Sequence, residues 1–139
     1  MNITYKEFNA SDLNRNPSKV FKAAKNHPVR LKRRGGPDMI LVSKKELQAR
    51  AEAHETAALL LSALQSLENS RLENIRLRFP WMAVFDEDKE KECADQMVAG
   101  VKEFFTSGIA LPFVSLVHQW KYLARKVAED NSSHRRNRL

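Results

Sequence analysis

Apolar and polar residues alternate in short stretches near the beginning and the end of the first fifty residues. Between these stretches, apolar residues recur at helical spacing. Residues 2–8 alternate, with Ile3 and Tyr5 on one side, which predicts a strand. Asn16 followed by Pro17 is typical of a helix start, and we expect Asn16 to cap it. Residues 29–33 alternate, and after an Arg-Gly-Gly-Pro-Asp turn the apolar run 39–42 follows. They predict a hairpin whose return strand, 39–42, is buried.

The rest of the chain carries a helical pattern. Ser43 and Glu46 form the sequence signature of a capping box. Leu67 and Leu72 lie five residues apart, which interrupts the helical spacing of the leucines. This interruption predicts a slip or break in the helix that begins after Ser43. Residues 79–85 form an apolar elbow around a proline, Asp86 is expected to cap a long helix, and residues 112–127 predict a last helix antiparallel to it.

These elements predict an α+β fold with two parts. The first is a strand-helix-hairpin-helix unit, and the second is an all-helical C-terminal module. We place the boundary at 54, so that 1–54 and 55–139 are separate domains. The polar, basic segment 130–139 is expected to be disordered.

The positive charge of the chain is confined to the first part. Residues 1–54 hold 12 Lys or Arg against 5 Asp or Glu, whereas residues 55–139 hold 12 of each. This asymmetry predicts that the first part meets a polyanion and the second does not.

No catalytic or metal-binding pattern stands out. The four histidines are scattered, and none lies at metal-ligand spacing from another histidine or from Cys93. Cys93 falls beside an apolar helix stripe, so we expect a buried, inert thiol. We therefore expect no enzyme activity and no cofactor. The single cysteine fits a reducing compartment such as the cytoplasm, and no run is long enough to cross a membrane.

The order "LNRNPSKVFKAA" then "PVRLKRRGGPDMILVSKKEL" resembles the N-terminal domain of the Phd/YefM (prevent-host-death) antitoxin family. The resemblance covers about residues 1–50. It departs from the family pattern at Asn14, where the family usually has Arg, at Pro17, where Leu is common, and at Lys32, where Thr is common.

The resemblance implies a homodimer that binds a palindromic double-stranded operator and silences a cognate toxin, for instance a small ribonuclease or a Fic-like protein. The basic hairpin predicts base reading by Arg33, because Arg pairs with the O6 and N7 atoms of guanine. Phosphate contacts are expected from the hairpin and from the start of the second helix. The full set of expected DNA-binding residues is Asn14, Arg15, Asn16, Ser18, Lys19, Lys32, Arg33 and Arg34.

The helical module is the expected toxin-binding part. Aromatic residues and Met are favoured at the centres of interfaces, although core packing explains the same pattern. The candidate partner-binding residues are Leu60, Leu64, Leu67, Phe79, Trp81, Met82 and Phe85. Residues 86–103 carry seven acids and three bases, a face that would suit a basic nuclease.

Two other functions stay open. The protein is alternatively a stand-alone dimeric transcriptional regulator whose helical module senses a signal or oligomerises. A nucleic-acid-linked enzyme or an RNA-binding factor is disfavoured, because active-site motifs are missing and no aromatic residues flank the basic run.

Overall fold

The structure is a computed structural model that describes residues 5–137. It contains a small sheet near the N-terminus, followed by a helical bundle. The strands are β1 (Lys6–Asn9), β2 (Val29–Lys32) and β3 (Met39–Leu41). The helices are α1 (Asp12–Arg15), α2 (Pro17–Ala24), α3 (Lys44–Gln65), α4 (Arg71–Arg78), α5 (Glu87–Ser107) and α6 (Leu111–Asn137), with a 3₁₀ helix (Pro80–Val84) between α4 and α5.

The predicted hairpin is confirmed. β2 pairs antiparallel with β3, and β1 joins the other side of β2 in parallel. The predicted first strand begins in residues outside the described part, and β1 continues to Asn9. Val29 and Leu31 face a small core that α2 covers. In the single chain the return strand is only partly covered, because Met39 is 50% exposed and Ile40 is 47% exposed on the edge strand β3. Its expected burial by pairing across a dimer stays a prediction.

The start of α2 differs from the prediction in its capping. Asn16 precedes the helix, but its side chain makes no capping hydrogen bond, and neither does that of Ser11 before α1. The carboxylate of Asp12 instead accepts a hydrogen bond from the backbone N–H of Asn9 at 2.9 Å. Pro17 occupies the first helical position, where its missing N–H leaves no donor without an acceptor and its fixed φ suits a helix start.

Helix α3 runs without interruption through residue 54, where we expected a domain boundary. Ala49 and Ala53 are buried in the same core as Leu60 and the helices that follow. The bundle therefore begins with α3 itself, directly after the hairpin. The predicted break falls at residues 66–70. There the buried amide of Asn74 donates hydrogen bonds to the carbonyls of Ser66 and Asn69 at 3.1 and 3.2 Å.

Helices α5 and α6 pack against each other as their apolar stripes predict. Met97, Val101 and Phe104 of α5 are buried, as are Phe113 and Val117 of α6. The two helices approach closely at Gly100. A Cβ atom there would lie 2.8 Å from Cδ1 of Phe113, so a larger residue at this position would push the helices apart.

Glu46 joins the beginning of the bundle to its last helix. Ser43 Oγ accepts a hydrogen bond from the N–H of Glu46, which is one half of the predicted capping box. The side chain of Glu46 does not turn back to Ser43. It is buried, and its carboxylate accepts hydrogen bonds from the backbone N–H groups of Ala110 and Leu111 at the start of α6. One glutamate thus takes part in the N-terminal structure of two helices.

The last helix is longer than the sequence predicts. We expected disorder from residue 130, whereas α6 continues to Asn137. Residues 129–136 are exposed along this extension. No helix in residues 5–137 is both long enough and apolar enough to span a membrane.

Replacing Glu46 with Gln tests this link. The amide retains one acceptor oxygen but loses the charge, so at least one buried N–H of α6 loses its acceptor. We expect the free energy of unfolding to fall by about 1–3 kcal/mol, measured by urea denaturation. Glu55→Gln, at an exposed position of the same helix, is the control and should leave the midpoint nearly unchanged. Equal midpoints for the two variants would contradict the role assigned to Glu46.

Candidate nucleic-acid interface and partner surface

The hairpin and the α1 segment together build one cationic groove. Arg15 at the end of α1 lies beside Lys32, Arg33 and Arg34 at the hairpin turn. The groove has a volume of about 750 Å³, and Asn9, Ala10 and Ser11 complete its lining. All four cations are exposed. The fold therefore joins into one surface two groups of cations that lie seventeen residues apart in sequence.

Two glycines shape the hairpin turn around Arg33. Gly35 has a φ of 72°, a left-handed conformation that glycine adopts without strain. Gly36 lies against the guanidinium of Arg33, and a Cβ atom there would be 3.3 Å from Arg33 Cζ. The missing side chain at Gly36 thus leaves room for Arg33 to lie over the turn. Placed there, Arg33 is supported by the backbone and its guanidinium stays exposed.

Glu7 pairs with some cations of the hairpin and leaves the others without an ion pair among the described residues. Its carboxylate lies 3.2 Å from Lys32 Nζ and 3.2 Å from an Nη of Arg30. Arg15, Arg33 and Arg34 make no ion pair within residues 5–137. An anion entering the groove would therefore compete with Glu7 for Lys32 but would meet the three arginines unopposed.

The remaining expected DNA-binding residues lie outside the lining of this groove. Asn14, Asn16, Ser18 and Lys19 are all exposed at the junction of α1 and α2. The sequence prediction thus placed four of its eight residues on the groove itself. It missed Asn9 and Ser11, which carry no charge and stand out only once β1 is paired with β2.

The expected partner-binding residues fall into two groups. Leu60, Phe79 and Met82 are buried in the bundle core, where no partner can reach them without unfolding. Trp81 and Phe85 are half-buried at the edge of that core, whereas Leu64 and Leu67 are exposed, Leu67 at 96%. Helical spacing does not separate these groups, because a core stripe and an interface stripe have the same period.

The acidic segment 86–103 presents fewer free carboxylates than its composition predicts. Glu90 is turned inward, where it accepts hydrogen bonds from Arg76, one of them from Nε at 2.7 Å. This carboxylate raises the pKa of Arg76. Lys91 donates a hydrogen bond to Asp95 and so holds the pKa of that carboxyl below its usual value. The acidic surface that a partner could meet is therefore smaller than the sequence suggests.

Comparison with known proteins identifies the N-terminal part. Residues 6–74 match the family model described as antitoxin Phd_YefM, type II toxin-antitoxin system. This part of the chain belongs to the Phd/YefM antitoxin family. No curated protein and no solved structure matches the chain.

The match extends the resemblance seen in the sequence. It continues past residue 50, through all of α3 and into α4. The Phd/YefM segment therefore contains both the cationic groove and the first helix of the bundle. Most of the bundle, including Trp81 and α6, lies outside it.

The single cysteine of the chain lies in the bundle core. Cys93 is fully buried, and burial, together with the nearby carboxylates of Glu90 and Glu92, raises the pKa of its thiol to about 12. Among residues 5–137, no three His, Cys, Asp or Glu side chains lie close enough to hold a metal ion.

The raised pKa of Cys93 predicts that its thiol reacts slowly in the folded protein. A thiol with a pKa of about 12 stays protonated at pH 8, and the thiolate is the reactive form. We expect a thiol reagent at pH 8 to modify the folded protein far more slowly than the urea-unfolded protein, measured by the absorbance of the released chromophore. Equal rates would show that the thiol is accessible and ionised in the fold.

Proposed function

We propose that this Phd/YefM chain is an antitoxin that acts through two surfaces. The N-terminal unit binds a palindromic operator as a homodimer and represses the chain's own operon. The helical module binds and neutralises a cognate toxin. The observation that carries the proposal is the groove in which Arg15 joins the hairpin cations, within a segment that matches the antitoxin family.

The groove has the chemistry that duplex DNA requires. Its exposed arginines and lysine neutralise phosphates and release counterions, which gives affinity that depends steeply on salt. Arg33 is the candidate for base reading, because a guanidinium pairs with two acceptor atoms of guanine in the major groove. The contact of Arg33 with the turn at Gly36 restricts its side chain before binding, which reduces the entropy lost on binding.

The apolar surface of the N-terminal unit supports the dimer. Among the described residues its core is small, with Val20, Ala24, Val29 and Leu31 as the buried members of its hydrophobic cluster. Met39, Ile40 and Phe21 are each about half exposed in the single chain. Met39 and Ile40 lie on the edge strand β3, which has room for a second strand beside it. A second copy covering these side chains would complete a core that one chain leaves open.

A stand-alone regulator that binds no toxin is the alternative function. A stand-alone regulator would use the same groove and the same dimer, and its helical module would sense a signal or oligomerise. The family match favours the antitoxin, since the family is that of type II systems, in which a protein antitoxin acts on a protein toxin.

Arg33→Ala tests the DNA-binding half of the proposal. We expect the variant to lose about 1–3 kcal/mol of discrimination between the operator and a scrambled duplex, measured by fluorescence anisotropy. Lys25→Ala removes an exposed cation that does not line the groove, and it should keep the preference of the parent protein. If Arg33→Ala binds both duplexes like the parent, Arg33 does not read the operator.

Co-expression tests the antitoxin half. We expect the full chain to restore growth to cells that produce the protein encoded by the adjacent reading frame, and the two proteins to co-purify. Arg33→Ala should retain both effects, because Arg33 belongs to the other surface. A chain that binds the operator but neither rescues growth nor co-purifies would support the stand-alone regulator instead.

A further inference from the structure

A shallow, open groove lies between the 3₁₀ helix and α6, outside the segment that the family match covers. Its apolar floor consists of Trp81, Val84, Ala124 and Ala128, and its rim carries Lys121 and Arg125. The volume is about 400 Å³. Lys121, Arg125 and Ala128 follow one another at i, i+4 and i+7, so they share one face of α6.

Both rim cations lack a counter-charge. Over residues 5–137 neither Lys121 nor Arg125 forms an ion pair, and no carboxylate lines the groove. Glu129 lies one turn beyond Arg125, but its carboxylate contacts Lys126 at 3.6 Å. Two exposed cations beside an apolar floor are thus available to a partner.

We propose that this groove binds a segment of the cognate toxin that carries carboxylates beside apolar side chains. The carboxylates would pair with Lys121 and Arg125, while the apolar side chains would cover Trp81 and Ala128. Aromatic and arginine side chains together are the residue types that contribute most at protein interfaces. The proposal rests on the proposed antitoxin function and assigns its toxin-binding half to specific residues.

The floor of the groove favours a protein over DNA. Phosphate groups gain hydrogen bonds and counterion release from the two cations, but they gain nothing from Val84, Ala124 and Ala128. A peptide segment uses both parts of the surface. The location agrees with this assignment, because Trp81 and α6 lie beyond residues 6–74, the segment that holds the DNA-binding groove.

Charge reversal at the rim tests the proposal. The affinity of the full chain for the purified product of the adjacent reading frame would be measured by calorimetry. We expect Arg125→Glu to weaken binding about tenfold or more, which corresponds to about 1.4 kcal/mol, and to flatten its dependence on salt. Lys102→Glu makes the same charge change at an exposed position of α5, away from the groove. It should alter the affinity less than about twofold, well within the size of a near-neutral interface change.

A second variant tests the floor without touching charge. Ala128→Gln places a longer polar side chain at a half-buried, helix-compatible position. It should weaken binding while circular dichroism and the unfolding midpoint stay close to those of the parent.

Three results would overturn the proposal. In the first, Arg125→Glu and Ala128→Gln bind the toxin like the parent, and the antitoxin function then stands with another docking surface. In the second, Arg125→Glu lowers affinity for duplex DNA and leaves toxin binding intact, which makes the groove a nucleic-acid contact. In the third, the parent chain itself does not bind the adjacent gene product, and the proposed function fails together with this assignment.

Discussion

The carboxylate of Glu46 is the interaction on which the arrangement of the bundle depends. It is buried and takes the backbone N–H groups of Ala110 and Leu111. Those groups begin the last helix and have no helical acceptor of their own. Because α3 starts three residues after β3 ends, the same carboxylate fixes the end of the hairpin relative to α6. A surface built on the hairpin and a surface built on α6 are therefore parts of one connected scaffold.

The second constraint is that each surface keeps some of its charges free of internal partners. Arg33 lies over Gly36, away from the carboxylate of Glu7, which holds Lys32 instead. On the bundle, Glu90 is withdrawn to Arg76, while Lys121 and Arg125 stay unpaired among the described residues. Intramolecular pairs thus consume some charges and leave others available. The chain's net charge of +7 shows none of this division.

The sequence predicted several local features, because they depend on near neighbours, although Asn16 does not cap α2 as expected. Ser43 and Asp86 cap their helices as expected. The hairpin followed from alternation and from its Gly-Gly-Pro turn. The partner of the Glu46 carboxylate could not be predicted in this way, since Ala110 lies 64 residues away. The helical extension beyond residue 130 was missed because its polar composition is also typical of disorder.

The candidate sites also depend on packing that the sequence pattern does not reveal. Helical spacing and residue type together predicted Leu60, Phe79, Trp81 and Met82 as partner-binding residues, but only packing shows that three of them fill the core and that Trp81 reaches a groove. Equal numbers of acids and bases in residues 55–139 suggested a neutral module. In the fold, its cations at Lys121 and Arg125 stand apart from its acids on α5. A net charge of zero over a segment therefore says little about its surface, because binding depends on which charges share a face and which are already paired.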